Sequence, residues 1–343
     1  MRSLGRLAVA LLFAATLAGS SALTGCGESD GPKRAVDAHT EALRFYGVDT
    51  PVVALLGNRP AADLASLERA ATGLPAWYRL SNSILDPLRA AGIDYGELQR
   101  LMRPQDQIEG VRAAALAVGI PTAGPLDPSR SLVVLASDQT ELLDHLLRLS
   151  EDEGRLRATG RLDEARLYAN EDAAYAARDG VLVSTPSLAG VRAALQRRDG
   201  DSDLQLDEGV VNDLLGDLRT EGPLEIYANL DRVIEADPAA RELAALTPWV
   251  EALGQAGASA SPVDGKLRVE VLATTREELQ PGDLPAGDVP TSFTLAADDV
   301  DSILQARAGS PDTLRHLLLG VAPVSGEATA GQDEIHAEAL LSP

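Results

Sequence analysis

The chain has 343 residues with 30 basic and 52 acidic side chains, a formal net charge of −22 at neutral pH. Such a surface repels phosphate backbones and anionic lipid headgroups, which argues against nucleic acid as a partner. Hydrophobic residues make up 45% of the chain and aromatic residues only 3%, so we expect globular domains without the stacking rings that sugar-binding clefts usually need. The length predicts about two domains.

The N-terminal residues have the pattern of a bacterial lipoprotein signal. Two arginines precede a mostly apolar segment at residues 7–22 that is too short to span a membrane well. The motif LTGC follows at residues 23–26, with a branched apolar residue, two small residues and the only cysteine of the chain. We predict that residues 1–25 are a signal peptide and that Cys26 is the lipidation site, which carries palmitate. A plain secretory signal and an uncleaved anchor are the alternatives.

Lipid on Cys26 holds a protein at a membrane without a spanning segment, because two or three acyl chains bind a bilayer firmly. The predicted location is extracytoplasmic, anchored to the bacterial cell membrane, in the outer leaflet of the plasma membrane if the cell is Gram-positive. Residues 26–48 are expected to form a tether, because their first part is polar and contains glycine and proline.

Short apolar runs bounded by turn residues predict the strands. They lie at residues 51–57, 112–118, 131–137, 155–158, 164–169, 173–178, 181–184, 224–230, 256–263, 266–273, 292–297, 324–330 and 334–341. Asp179-Gly180 and Asp264-Gly265 each separate two of these runs. A two-residue Asp-Gly between strands predicts a type I′ hairpin turn, which needs positive φ at both positions.

Leucine, valine and isoleucine recur with helical spacing after several of the strands, so helices are expected there. One such stripe ends at Leu253. Asp138, Asp231 and Asp298 each follow a predicted strand, where a carboxylate can cap the first N–H groups of a helix. Replacing Asp231 by alanine is therefore expected to cost about 1 kcal/mol of stability.

The Asp-rich run RRDGDSD at residues 197–203 predicts a domain boundary. It separates a first α+β domain at residues 49–198 from a second at residues 204–343. A unit of strand, Asp cap, helix and hairpin, about fifty residues long, recurs in both. Helices that alternate with hairpins favour antiparallel sheets. The predicted fold class is α+β, in two similar halves, each a mainly antiparallel sheet with helices packed on one face.

Several of these features together resemble a known family. They are the lipoprotein motif, the units led by VVLASD, IYANLD and LAADDV, and the hairpins YAARDGVLV and VDGKLRVEV. The chain is similar over about residues 49–275 to a family of exported bacterial proteins, often lipoproteins, that carries only a domain-of-unknown-function label. The resemblance implies an exported protein and supplies no catalytic residues.

No catalytic, cofactor-binding or metal-binding signature is found in the sequence. The chain lacks GxSxG, P-loop and HExxH motifs, and its two lysines leave no SxxK nucleophile. Its four histidines, at positions 39, 145, 316 and 336, are far apart and are interpreted as surface or edge residues. We therefore expect no cofactor.

The nearest approach to a metal loop lies in the Asp-rich run. Asp199, Asp201 and Asp203 have the spacing of calcium ligands, but Leu204 stands where glycine is required and Val210 where a bidentate glutamate belongs. A solvated interdomain loop is the favoured interpretation.

Three functional hypotheses follow. The first is a non-catalytic interaction or scaffold protein of the envelope, whose partner is another envelope protein. The second is a binding module for a lipid or other apolar ligand held between leucine-rich helices and the sheet. The third, least favoured, is a hydrolase with an unrecognised site.

Overall fold

The computed structural model describes residues 36–56, 66–67, 69–70, 114–137, 140–218, 222–246, 251–264, 266–276, 292–295, 324–330 and 334–341. The helices are α1 (Val36–Leu43), α2 (Thr140–Asp152), α3 (Leu188–Arg198), α4 (Glu208–Gly216), α5 (Leu230–Ala236) and α6 (Pro238–Leu246). The strands are β1 (Val52–Leu56), β2 (Ala114–Ile120), β3 (Leu132–Ser137), β4 (Arg157–Leu162), β5 (Ala165–Ala169), β6 (Ala174–Arg178), β7 (Val181–Thr185), β8 (Leu224–Asn229), β9 (Leu253–Val263), β10 (Lys266–Thr275), β11 (Ser292–Leu295), β12 (Val324–Ala330) and β13 (Glu334–Leu341).

Within the described residues these strands form one thirteen-stranded sheet in the order β11-β12-β13-β10-β9-β8-β1-β2-β3-β7-β6-β5-β4. Each neighbouring pair is antiparallel. Sequential strands lie side by side in four meanders, namely β11–β13, β8–β10, β1–β3 and β4–β7. The predicted α+β class with an antiparallel sheet is confirmed.

The centre of the sheet is the pairing of β1 with β8. Their register places Val52 opposite Ala228 and Leu56 opposite Leu224. Because β1 falls in the predicted first domain and β8 in the predicted second, the sheet is continuous across the predicted boundary. The division of the chain into two domains stays a prediction.

Both faces of the sheet are apolar near its centre. All five residues of β1 are buried, which is the pattern of a strand covered on both sides. One face, called the α2 face, carries Val52, Ala54 and Leu56 in a core layer with residues of α2, α5 and α6. The other, called the α1 face, carries Val53 and Leu55 with α1, α3 and α4. The prediction that helices pack on one face is therefore wrong for the described residues, since a doubly buried strand needs a cover on each side.

Tight turns with left-handed residues join several strands. Asp179 and Gly180, between β6 and β7, have φ of 53° and 78°, which confirms the positive φ that the Asp-Gly pattern predicts. Asp264 follows β9 with φ of 50°, and Asp163 joins β4 to β5 with φ of 49°. Aspartate tolerates this conformation because its short polar side chain bonds locally.

Most predicted strands lie close to the observed ones, and the clear exceptions are β4 and β9. Strand β4 runs from Arg157 to Leu162 where residues 155–158 were predicted. Strands β12 and β13 have the predicted bounds. Leu253, predicted to end a helical stripe, instead begins β9 and pairs with Thr275 across an irregularity in the ladder. Helical spacing of leucines cannot distinguish a last helical turn from a buried strand end, because both place an apolar side chain in the core.

Helix α1 and the residues after it belong to the folded part of the chain. Ala42, Leu43, Phe45 and Tyr46 are buried in the α1 face. The Tyr46 hydroxyl donates a hydrogen bond to the Leu132 carbonyl oxygen of β3 at 2.9 Å. The part of the predicted tether that contains these four residues is therefore packed against the sheet, because burying this apolar cluster is favourable.

The N-cap of α5 differs from the predicted one. The Asn229 side-chain oxygen accepts a hydrogen bond from the Arg232 backbone N–H at 3.2 Å. Asp231, the predicted cap, lies in the first turn and forms an ion pair with Arg276 at 3.1 Å. The prediction is wrong because the helix begins at Leu230, which puts Asn229 in the capping position.

Removing the Tyr46 hydroxyl tests the link between α1 and β3. We expect Tyr46→Phe to lower the free energy of unfolding by about 1–2 kcal/mol, because a buried carbonyl loses its partner. Tyr168→Phe is the matched control, since this tyrosine is equally buried and its hydroxyl has no hydrogen-bond partner among the described residues. Urea unfolding measures both, and equal losses would contradict the assigned bond.

A second pair of variants tests the cap assignment. We expect Asn229→Ala to cost about 1 kcal/mol through the lost cap. Asp231→Ala should cost less than about 0.5 kcal/mol, because it removes only an exposed ion pair. The reverse order of the two losses in thermal or urea unfolding would restore Asp231 as the cap.

Candidate functional site

The candidate site is the open edge of the sheet at β4. This strand pairs with β5 alone among the described residues, and five of its six residues are exposed. A bulge between Ala158 and Gly160 shifts the register. Gly160 has φ of 148°, and the space that a Cβ would occupy there is open. An exposed edge presents unpaired backbone N–H and C=O groups to another chain.

Two arginines of β4 stand on this edge. Arg157 and Arg161 are exposed, and neither forms an ion pair with a residue that the structure describes. The register places Arg161 directly opposite Arg166 of β5 and Arg157 opposite Ala169. Like charges at directly opposed positions destabilise a sheet, so Arg161 occupies a place where a negative charge would be favourable.

Arg166 is already neutralised by its own partners. Its guanidinium donates to a carboxylate oxygen of Glu151 on α2 at 2.8 Å and lies 5.3 Å from the centroid of the Tyr168 ring. Burial raises the pKa of the Tyr168 hydroxyl, so this group stays neutral beside the arginine. Arg161 therefore faces a fixed, compensated cation and has no described counter-ion of its own.

Sequence reasoning missed Arg157 and Arg161, although a local signal exists. Residues 154–162, GRLRATGRL, contain three arginines and no acidic residue in a strongly acidic chain. This signal becomes informative only when β4 is known to be an edge, because arginines on a covered strand would have different neighbours.

A second polar cluster joins α1, α3 and the turn after β6. Arg178 pairs with Asp199 and, at 3.4 Å, with Asp179. Arg198 pairs with Glu41 of α1 at 2.6 Å and with Asp179 at 2.9 Å. The hydrogen bond from Arg178 lowers the pKa of the Asp199 carboxyl. This cluster closes the α1 face around the end of α3.

The calcium-like run is explained by local bonds. Asp199 is held by Arg178, and the Asp201 carboxylate accepts a hydrogen bond from the Asp203 backbone N–H at 3.1 Å. Among the described residues, no group of three or more potential ligands is arranged to hold a metal ion. The arrangement is that of a capped turn tied to the sheet.

The sheet also buries two glutamates that the sequence reasoning did not single out. Glu225 of β8 and Glu270 of β10 both stand opposite Ser259 of β9. Glu270 is fully buried and Glu225 is nearly so, and each takes part in a polar interaction. Strand spacing puts their backbones about 10 Å apart. We assign them to the polar interior of the sheet.

The remaining predicted residues divide into two groups. Cys26, Asp138, Asp298 and His316 lie outside the described residues. His39 is buried rather than on the surface, and its Nε2 lies 2.9 Å from the Leu56 carbonyl oxygen. It was assigned to the surface wrongly, because helix α1 turns it toward β1. His145 is exposed, as predicted.

No helix within the described ranges is long and apolar enough to cross a membrane. No protein-family model matches the chain, and no curated protein matches it.

Solved structures of TP0453 are similar to this chain. Crystal forms III and I each align with a TM-score of 0.43 at 10% identity, covering 88% of this chain and 94% and 92% of TP0453. Crystal form IV aligns with a TM-score of 0.38 at 9% identity, covering 70% of this chain and 83% of TP0453. Likeness at this level carries no argument about function.

The lowered pKa of Asp199 predicts how stability changes with pH. A carboxyl whose folded pKa lies below its unfolded value of about 3.9 stabilises the fold above that value and loses this effect as the pH falls through the folded pKa. We expect Asp199→Asn to lower stability most above about pH 5, with the difference from wild type shrinking toward pH 3. Urea unfolding at several pH values measures it.

Asp213→Asn is the control for this experiment, because Asp213 is exposed and forms no ion pair with a described residue. An Asp199→Asn effect that does not change with pH, or that follows the same course with pH as the control, would contradict the pairing with Arg178.

Proposed function

We propose that this chain is a lipid-anchored envelope protein that works through contacts with another protein rather than through catalysis. The observation that carries the proposal is the open edge at β4, where Arg157 and Arg161 are exposed without described counter-ions. An exposed strand edge with specific charges is a form of surface that proteins use for recognition.

Lipid on Cys26 supplies the anchor in this proposal, and the location is the extracytoplasmic side of the bacterial cell membrane. Ten peptide steps separate Cys26 from Val36, where α1 begins. A fully extended chain of that length spans about 35 Å. The folded part therefore works close to the bilayer, where a partner in the same membrane would be within reach.

The proposal includes two similar halves. The rows of paired residues support it: Ala54, Val118 and Val133 lead outward from the centre on one side, and Ile226, Ala258 and Val271 on the other. In each half the first strand pairs with the first strand of the following hairpin, and buried residues from the intervening helical segments, Leu67 and Ala244, join the α2 face. Membership of the exported lipoprotein family that the sequence resembles is part of the same proposal.

Lipidation is tested by Cys26→Ala. In cells fed an alkyne-labelled palmitate, we expect the wild-type chain to be labelled and the variant to be unlabelled, because no other cysteine is present to accept diacylglycerol. Ser21→Ala, in the signal segment but outside the motif, is the control and should be labelled normally. Labelling that persists in the Cys26→Ala variant would contradict the anchor.

The contact surface is tested in the same cells with a photo-crosslinking residue placed at Arg161 or at Arg192. Arg192 is an exposed arginine of α3 and is not a residue of β4. A crosslink to one envelope protein from the first position and not the second supports the proposal. Equal crosslinking from both positions, or none, would contradict it.

A further inference from the structure

We infer that β4 binds an extended segment of a partner protein as an added strand, and that this segment carries acidic residues three positions apart. The inference deepens the proposed function and rests on it.

The backbone groups on one side of β4 have no partner among the described residues. Neighbouring strands in a sheet each satisfy the other's N–H and C=O groups, and β4 has such a neighbour on one side alone among the described residues. An added strand would pair with the other side. Strand addition draws its affinity from these main-chain hydrogen bonds and its specificity from alternate side chains.

The bulge in β4 changes the faces of the sheet to which the two arginines belong. Arg157 and Arg161 are four residues apart, and in a regular strand they would share a face. The bulge between Ala158 and Gly160 makes them the register partners of Ala169 and Arg166, which are three residues apart. Arg157 therefore belongs to the α1 face of the sheet and Arg161 to the α2 face.

The two arginines favour an added strand that carries acidic residues. A regular strand added to β4 would meet the two arginines at positions three residues apart, as β5 does. In β5 the residue opposite Arg161 is another cation, Arg166, which is paired with Glu151 at 2.8 Å. An acidic side chain in the added strand would supply Arg161 with a counter-ion. Opposite charges at directly paired positions stabilise a sheet.

The same arginines disfavour a second copy of this chain paired through β4. Antiparallel pairing of two β4 strands would bring arginines of both copies to one edge, and like charges at such an edge oppose association. The occupant that the charges favour is an acidic segment of another protein. The competing explanation is that the arginines only guard the edge against aggregation.

The experiment uses the full lipidated chain in detergent micelles and fluorescent peptides of threonine and valine with two glutamates. One peptide has its glutamates at positions i and i+3, a second has them at i and i+4, and a third repeats the first with alternate backbone N–H groups methylated. Fluorescence anisotropy measures binding, and hydrogen exchange follows the amides of β4.

We expect the i, i+3 peptide to bind and to slow exchange in β4. The i, i+4 peptide should bind more weakly, and the methylated peptide should not bind, because it cannot form the ladder. Charge reversal at both positions, Arg157→Glu with Arg161→Glu, should weaken binding about tenfold, and a peptide with lysines in place of glutamates should restore it. Arg192→Glu is the matched control and should leave binding unchanged.

Two results would overturn the inference. Equal binding of the methylated peptide would mean non-specific attraction between charges. Absence of binding by every peptide would mean that the arginines only guard the edge. A crosslink from position 161 in cells without peptide binding would leave the proposed function standing and remove this inference alone.

Discussion

The antiparallel pairing of β1 with β8 is the constraint on which the rest of the fold depends. Because β1 pairs on both sides and all its residues are buried, its two faces must each be covered. Strand β2 packs closely against β1 at Gly119, since a Cβ at this position would lie 2.2 Å from the Val52 carbonyl oxygen. Glycine is required there, and helices on both faces follow from the burial of β1.

The α1 face shows how this constraint reaches the polar groups. Tyr46 lies against the centre of the sheet, where burial raises the pKa of its hydroxyl well above the ordinary value despite the opposing effects of Arg197 and the Gly119 amide. Arg197, at the end of α3, donates to the Phe45 carbonyl oxygen at 2.6 Å. Tyr46 and Arg197 thus hold α1 and α3 in place against the sheet, whereas Arg157 and Arg161 of β4 are exposed and have no described counter-ion.

Local sequence signals predicted the strands and turns well, because an apolar run or an Asp-Gly turn depends on a few neighbouring residues. They did not predict that β1 pairs with β8, since the two strands are far apart in sequence and many pairings satisfy the same pattern. We expected helices on one face of the sheet only. The segment PVVALLG at residues 51–57 is apolar throughout, however, which is the pattern of a strand buried on both faces. The cap at Asn229 was missed because it depends on the residue at which β8 ends. Lipidation at Cys26 stays a prediction from a linear motif, because this residue lies outside the described residues.

The two edges of the sheet explain why β4 needs its charges. Among the described residues the opposite edge is β11, with the uncharged sequence SFTL. If β11 met β4 of the next molecule, the contact would be head-to-tail, and such a contact propagates as a fibre wherever its rotation does not close a ring. Arg157 and Arg161 oppose that contact, because pairing them with uncharged residues removes water from two guanidinium groups without supplying a counter-ion. An acidic strand removes the same water and supplies the counter-ions. The proposed preference for an acidic strand over β11 of a second copy would therefore come as much from the desolvation cost of the wrong pairing as from the attraction in the right one.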